Sequence, residues 1–326
     1  MICALMGVER QSNRCFPLSG RRVFVAGHSG LVGSALTRRL SDENGAKILT
    51  VSRGELDLRN GPAVTTFLEK ERPDAVIVAA GRVGGIGANR KQPADFIYDN
   101  LMIEANVIHA AWKAGVRRLV NFGSGCVYPR ECSQPMRPEQ IGTGPMEPTS
   151  EPYSTAKLAG MIMCDAYRRQ HGVAYINVIP AGVYGPGDCL DPERAHVVTA
   201  LMRRFHEAKQ TGASEVVLWG SGRPQRELLY VDDLAEAVLL LLERYDGEAP
   251  VNAGSGQVCS IAELAACLVE VTGFKGRIAW DTSKPDGAAA KTLDWTPLRQ
   301  MGWNPRTGLA AGLRRTYEWF ASRVSE

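Results

Sequence analysis

The run "GSGCVYP", residues 123–129, places two small nucleophiles, Ser124 and Cys126, two residues apart where a short apolar stretch ends. One such side chain there would be ordinary. Two suggest a site that carries out more than one kind of proton chemistry. Further on, "YSTAK" sets Tyr153 and Lys157 four residues apart, which on a helix puts both side chains on one face. A tyrosine hydroxyl with an ordinary pKa near ~10 is a poor acid or base at neutral pH. A neighbouring ammonium favours the phenolate and pulls that pKa toward the working range. Ser124 completes the set by hydrogen-bonding a substrate carbonyl oxygen. A bare Y-x-x-x-K is frequent by chance and usually marks a surface pair. Its weight here comes from chain order: a glycine loop, then a serine at a strand end, then Tyr-Lys on the next helix.

The glycine loop is "GHSGLVG", with Gly27, Gly30 and Gly33 at three-residue spacing between the strand "RRVFVAG" and the helix "LVGSALTRRL". Glycines there let the backbone turn tightly and approach a pyrophosphate held at the helix N-terminus. In that context the segment Gly27, His28, Ser29, Gly30, Leu31, Val32 and Gly33 reads as a dinucleotide cradle. The second strand runs into "VSRGELDL". An NAD site usually ends that strand with an acid for the ribose 2′-hydroxyl, whereas this chain offers Ser52 and Arg53. A guanidinium suits a 2′-phosphate, so NADP(H) is the expected cofactor.

The elements that must hold these groups alternate. Strands are expected at 21–27, 47–52, 74–81, 117–123 and 174–182, with long helices at 94–115 and 153–172. The strands are nearly continuous apolar runs, the mark of a parallel sheet covered on both faces. The fold class expected is α/β, a Rossmann-type doubly wound parallel sheet with a smaller C-terminal substrate-binding lobe. After about Gly185 the rhythm changes. "VVTALMRRFHEAK" reads as a helix, "EVVLWG" and "RELLYVDD" as strands, and "LAEAVLLLLERY", "SIAELAACLVEVTG" and 307–322 as helices. The division expected is a flexible leader over 1–20, a cofactor domain over 21–185 that takes back segments from later in the chain, and a substrate lobe over 186–326.

Composition narrows the classes. A net charge of +3 is too small to argue for nucleic acid or a membrane surface, and no apolar run approaches the length that crosses a bilayer. The opening "MICALMGVERQSNRCFPLSG" has too short an apolar core for a signal peptide. Eight cysteines are scattered without a C-x-x-C or a Cys/His cluster of zinc spacing, so no metal is expected and the thiols read as free, in a reducing cytoplasm.

With these motifs in view the chain resembles the extended short-chain dehydrogenase/reductases, and within them the GDP-L-fucose synthase family of epimerase-reductases. The residues that carry the resemblance are "GHSGLVGSA", "RVGGIGAN", "PADFIYDN", "GSGCVYP", "EPTSEPYSTAKLAG", "YGPGD", "HVVTALMRRFHEA", "LWGSGRPQRELLYVDDLA" and "SKPDG". It spans about residues 21 to 322. The combination of Cys126, His196 and "RRFHEA" is much narrower than the superfamily motifs.

The resemblance implies a substrate, GDP-4-keto-6-deoxy-D-mannose, whose C3 and C5 protons are α to a ketone and removable through an enolate. Inversion needs a base on one face and an acid on the other. The resemblance assigns Cys126 and His196 to that pair, with either one as the base. It further implies that Lys157, Pro180, Ala181, Gly182, Val183 and His196 contact the cofactor, and that Arg204, Trp219, Arg226 and Asp286 hold the nucleotide sugar. Guanidiniums suit the pyrophosphate and an indole offers a stacking face. A homodimer through the two long helices is implied as well. The chain departs from the family at Ser29, where many bacterial members carry arginine. It departs again at Pro180-Ala181-Gly182, where the family reads Pro-Thr-Asn. Other readings stay open: a GDP-L-colitose synthase inverting only C5, a plain nucleotide-sugar 4-reductase or 4-epimerase, and a non-catalytic redox-sensing binding protein on the same fold.

Overall fold

The computed structural model describes residues 16–43, 45–284, 286 and 289–324. Its centre is a six-stranded parallel sheet in the order β2-β1-β3-β4-β5-β9. The strands are β1 (Arg22–Ala26), β2 (Lys47–Leu49), β3 (Ala75–Val78), β4 (Arg118–Phe122), β5 (Ala174–Pro180) and β9 (Val251–Ala253). Between β5 and β9 the chain forms β6 (Gly182–Tyr184), β7 (Glu215–Trp219) and β8 (Gln225–Tyr230); β10 (Val258–Ser260) and β11 (Arg277–Asp281) follow. β10, β8 and β6 make a three-stranded sheet, and β11 pairs with β7 in parallel.

Alternation along each strand explains the doubly covered sheet. Val23, Val25, Ala75 and Ile77 point to one face, where they pack with α1 (Leu31–Ser41) and α7 (Val231–Arg244). Phe24, Ala26, Val76 and Val78 point to the other, against α2 (Gly61–Glu71), α4 (Pro93–Lys113) and α5 (Glu151–His171). Side chains of period two with both sets apolar give an unbroken hydrophobic run. The remaining helices are the short α3 (Ile86–Lys91), α6 (Val197–Gln210), α8 (Ile261–Thr272), the short α9 (Thr296–Gln300) and α10 (Leu309–Val324). A second core gathers Met202 and Phe205 of α6, Leu264 and Leu268 of α8, and Leu313 and Phe320 of α10.

Two expectations are corrected. "RELLYVDD" is a strand only as far as Tyr230, and a helix begins at Val231 with Asp232 and Asp233 in its first turn. Carboxylates are favoured at the positive end of a helix, which turns the chain there. That helix packs on the central sheet with α1, in keeping with the expectation that segments from later in the chain return to it. The leader expected to be loose through residue 20 is fixed in its last part. Leu18 is fully buried, and the Phe16 N–H donates to the Glu243 carbonyl at 2.8 Å. The earlier residues, 1–15, lie outside the described residues. No helix among the described residues is long and apolar enough to cross a membrane.

Candidate active site

Strand order reverses between β1 and β3, the point at which an open α/β sheet forms a ligand crevice beyond the carboxyl ends of its strands. The glycine loop lies in it, and two of its glycines are sterically required. A Cβ on Gly27, whose φ is +85°, would stand 2.6 Å from the Ala80 backbone. One on Gly33 would stand 2.0 Å from the Gly27 carbonyl oxygen. Gly30 is different: it is exposed, with space beyond it, and it caps α1 without any side-chain hydrogen bond. The first N–H groups of α1 therefore face an open, positively polarised cradle. The buried Nδ1 of His28 also has no hydrogen-bond partner among the described residues. A pyrophosphate over Gly30, Leu31 and Val32 fits this geometry.

At the end of β2 the turn is tied by an acid that the sequence reading passed over. Glu55 accepts hydrogen bonds from Ser52 N (3.0 Å) and Ser52 Oγ (2.6 Å), which hold its carboxyl below the usual range. The turn leaves Arg53 exposed, close enough to Asp57 to act on its charge.

Ser124 leaves β4 and caps a single 3-10 turn, with its Oγ accepting from Cys126 N at 3.2 Å. Gly123 lets the strand end press against α5, since a Cβ there would meet Met161 Sδ at 2.7 Å. Tyr153 and Lys157 project from the first turns of α5, and Phe96 packs edge-on to the Tyr153 ring at 6.2 Å. Burial pushes the Tyr153 phenol up. Lys157 and a hydrogen bond from Ser124 pull it down, and Cys126 and Glu104 push it up again, for a net rise. The structure thus brings Ser124, Cys126, Tyr153 and Lys157 together. It also corrects the expectation that the ammonium drags the tyrosine toward neutrality: loss of solvent wins, and Tyr153 stays a phenol at neutral pH.

Lys157 itself is 4% exposed and makes an ion pair with Glu104 of α4, which is 1% exposed. Burial works against the lysine's charge, but Glu104 and then Tyr153 outweigh it, so the ammonium is held above the ordinary lysine range. Glu104 was missed in the sequence, yet it lies on the buried stripe Asn100, Glu104, Val107, Ile108, Ala111. A carboxylate in that helical register was a readable signal.

His196 caps the start of α6, with Nδ1 3.7 Å from Oδ1 of the buried Asp188. Asp188 is held by Thr199 Oγ1 and by Cys189 N at 2.8 Å. No hydrogen bond or ion pair joins His196 to Cys126, Ser124 or Tyr153 among the described residues. Asp188 is a second acid missed in the sequence.

Further along the chain, Arg204 of α6 is exposed, while its neighbour Arg203 is spent on Glu207 (3.2 Å) and the Leu190 carbonyl (2.6 Å). Trp219 is 67% exposed at the end of β7, an unusual state for a tryptophan, with Lys284 Nζ 5.9 Å from its ring. Asp286 accepts from Ser221 N (2.8 Å) and Ser221 Oγ (2.6 Å), closing the turn after Trp219. Arg226, on β8, is half-buried, and burial lowers its pKa. Next to it the buried Glu227 accepts from the backbone N–H of Ser255 (2.6 Å), Gly256 (2.7 Å) and Leu293 (2.7 Å).

Residues 23–254 match the NAD dependent epimerase/dehydratase family. The chain belongs to that family. GDP-L-fucose synthase 1 of Arabidopsis thaliana is 49% identical over 303 residues, 93% of this chain and 94% of its own length. A GDP-L-colitose synthase of Yersinia pseudotuberculosis is 33% identical over 301 residues, 92% of this chain and 97% of its own. Among solved structures, a GDP-L-fucose synthetase from Naegleria fowleri bound to NADP superposes with a TM-score of 0.89 at 27% identity. That alignment covers 96% of this chain and 98% of that one.

As a member of the epimerase/dehydratase family the chain has one local peculiarity with a physical cause. Pro180, Ala181 and Gly182 carry no polar side chain where β5 gives way to β6. A Cβ on Gly182 would lie 2.9 Å from the Glu227 carbonyl oxygen, so β6 meets β8 too closely for an asparagine at that position. Ala181 N is already taken by the Ala253 carbonyl at 2.9 Å. Val183 follows within β6, half-buried.

Proposed function

We propose that the chain is an NADPH-dependent epimerase-reductase that converts GDP-4-keto-6-deoxy-D-mannose to GDP-L-fucose, inverting C3 and C5 and reducing the C4 ketone. The observation that carries this reading is Cys126 standing beside the Ser124, Tyr153 and Lys157 set. Reduction alone needs a proton donor and an oxygen anchor, which the other three supply; a thiol in the same turn adds a group for moving carbon-bound protons. The 49% identity to a GDP-L-fucose synthase supports the same substrate.

In this reading Ser124 hydrogen-bonds O4 and Tyr153 donates its proton to that oxygen. NADPH, when bound in the glycine cradle, would supply the hydride for the ketone. Lys157 holds its ammonium beside the phenol. Cys126 and His196 serve opposite faces of the sugar, one removing the proton from C3 or C5 and the other returning one. Asp188, 3.7 Å from His196 Nδ1, would attract an imidazolium, with Nε2 left for the substrate side. Gly27, His28, Ser29, Gly30, Leu31, Val32 and Gly33 cradle the cofactor pyrophosphate, and Arg53 meets the 2′-phosphate. Pro180, Ala181, Gly182 and Val183 line the nicotinamide end. Arg204, Arg226 and Asp286 hold the GDP portion, with Trp219 stacking on the base.

Segments 21–185, with the returning α7 and β9, would serve the cofactor, and the rest of the chain the nucleotide sugar. A two-fold dimer through α4 and α5 is part of the proposal. Tyr98 on α4 and Ile162 on α5 support it, being 58% and 55% exposed. The six cysteines among the described residues are free, which supports a reducing, cytoplasmic setting.

The purified protein with GDP-4-keto-6-deoxy-D-mannose and NADPH should yield GDP-L-fucose, identified by NMR of the product sugar. A product inverted at one centre, or at none, sinks the reading. Arg53→Ala should raise KM for NADPH much more than KM for NADH, since only the former offers the 2′-phosphate. A wild type that already prefers NADH overturns the role given to Arg53.

A further inference from the structure

Gly160 is the third residue after Lys157 on α5, and a Cβ on it would fall 1.5 Å from Glu104 Oε2 and 2.6 Å from Glu104 Cδ. The glycine is the space in which the carboxylate sits. The two helices close on that point, and one oxygen of Glu104 pairs with Lys157 Nζ. The other, Oε2, is buried without a hydrogen-bond partner among the described residues. A carboxylate withdrawn from water with one cation as its partner is costly to keep unless that cation stays charged and in place. Helix interiors disfavour glycine, so the position is occupied against local preference.

We infer that Glu104, seated in the gap left by Gly160, is a positioning residue that keeps the Lys157 ammonium charged and aimed at Tyr153. The inference rests on the proposed role of the Tyr153–Lys157 pair and deepens it. Lys157 faces Glu104 from α4, and Tyr153 and Cys164 from its own helix; Cys126 faces Tyr153 from the turn after β4. Burial pushes the Glu104 carboxyl above its ordinary range and Lys157 pulls it back, so the carboxylate and the ammonium keep their charges only as a pair. Without its charge, burial remains and favours the neutral amine, so the lysine's pKa falls below its ordinary range. A neutral Lys157 no longer stabilises charge at the Tyr153 oxygen, nor attracts an anionic cofactor.

The test is Glu104→Gln, which keeps size and hydrogen-bonding capacity but removes the charge. NADPH binding, followed by nicotinamide fluorescence in the absence of sugar, should be flat between pH 6 and 9 in wild type. In the variant it should weaken steadily as pH rises, approaching roughly tenfold loss of the charged lysine per pH unit once past its lowered pKa. Reduction by the variant should recover on acidification, because the lysine is reprotonated. Glu104→Asp, which retains the charge one methylene shorter, should restore the flat profile at a reduced rate. Should Glu104→Gln not fold, Gly160→Ala, whose Cβ displaces the Glu104 carboxylate, takes its place and should show the same weakening of binding with rising pH. Equal loss at every pH in Glu104→Gln, or a Glu104→Gln profile parallel to wild type, overturns it. The binding arm uses no keto sugar, so a wrong substrate would show as missing wild-type turnover while the pH dependence of binding still decides the role of Glu104.

Discussion

Tyr153→Phe should fold normally, bind NADPH, and oxidise it with the keto sugar roughly 10²–10⁴ times more slowly than wild type. The substitution removes one oxygen and leaves the ring packed against Phe96. Its cost to stability is that of one lost hydrogen bond, about 0.5–1.5 kcal/mol. Its cost to the reaction is larger because hydride arriving at C4 leaves negative charge on O4 with no proton donor in place. A loss of that size corresponds to roughly 3–5 kcal/mol of barrier. The direction of the Tyr153 shift adds a second observable. Burial raises the phenol above its ordinary value, so the donor is protonated throughout the neutral range. The rate of reduction should hold steady through neutral pH and fall on the alkaline side as the phenol ionises. In Tyr153→Phe that alkaline limb should vanish from the residual rate. Near-normal turnover by the variant would remove Tyr153 from the catalytic set.

How much of this was legible depends on where the information lies. β1, β3, β4 and β5 were readable because both faces of each are covered, which leaves a mostly apolar run, interrupted within β4 and β5 only by the buried Asn121 and Asn177. β9 was not: "VNA" is three residues long and has no periodicity of its own. Its place is fixed by pairing Val251 with Val178 across the sheet. β11 is a strand because β7 offers an edge to it, again a contact distant in sequence. Helix α2 begins at an Asn60 cap with a proline in its first turn, signals that were present and not used.

The candidate site divides in the same way. Ser124, Tyr153 and Lys157 could be read because spacing on one helix and chain order suffice. Glu104 and Asp188 are marked out by partners distant from any local window: the first by a lysine 53 positions away, the second by a histidine at the start of the next helix. A local window sees only an acid among apolar residues and an acid in a loop. Arg203 and Arg204 are adjacent and chemically identical, and only packing tells them apart, Arg203 being committed to Leu190 and Glu207.

The reason for Cys126 is the sharpest remaining test of the proposed reaction, because inversion can be separated from reduction. The turn that holds it depends on Ser124 Oγ and the Cys126 backbone N–H, not on the thiol, so Cys126→Ser should preserve the local structure. A Cβ on Gly125 would meet nothing within 4 Å, so the turn has open space beside it. A serine hydroxyl holds its proton far more tightly than a thiol, so proton abstraction should collapse. His196→Gln keeps a polar side chain but cannot shuttle a proton. Tyr153, Lys157 and the cofactor cradle remain in both variants. Hydride can then reach C4 of the uninverted sugar slowly, giving a 6-deoxy sugar that is not fucose. In deuterium oxide without NADPH, wild type should exchange hydrogen at both C3 and C5, and Cys126→Ser should lose exchange at both. Loss at one centre alone would mean two different bases. Unchanged exchange at both would leave Cys126 a strand-end thiol that happens to lie beside Ser124, and the epimerase half of the proposal would need another pair of residues.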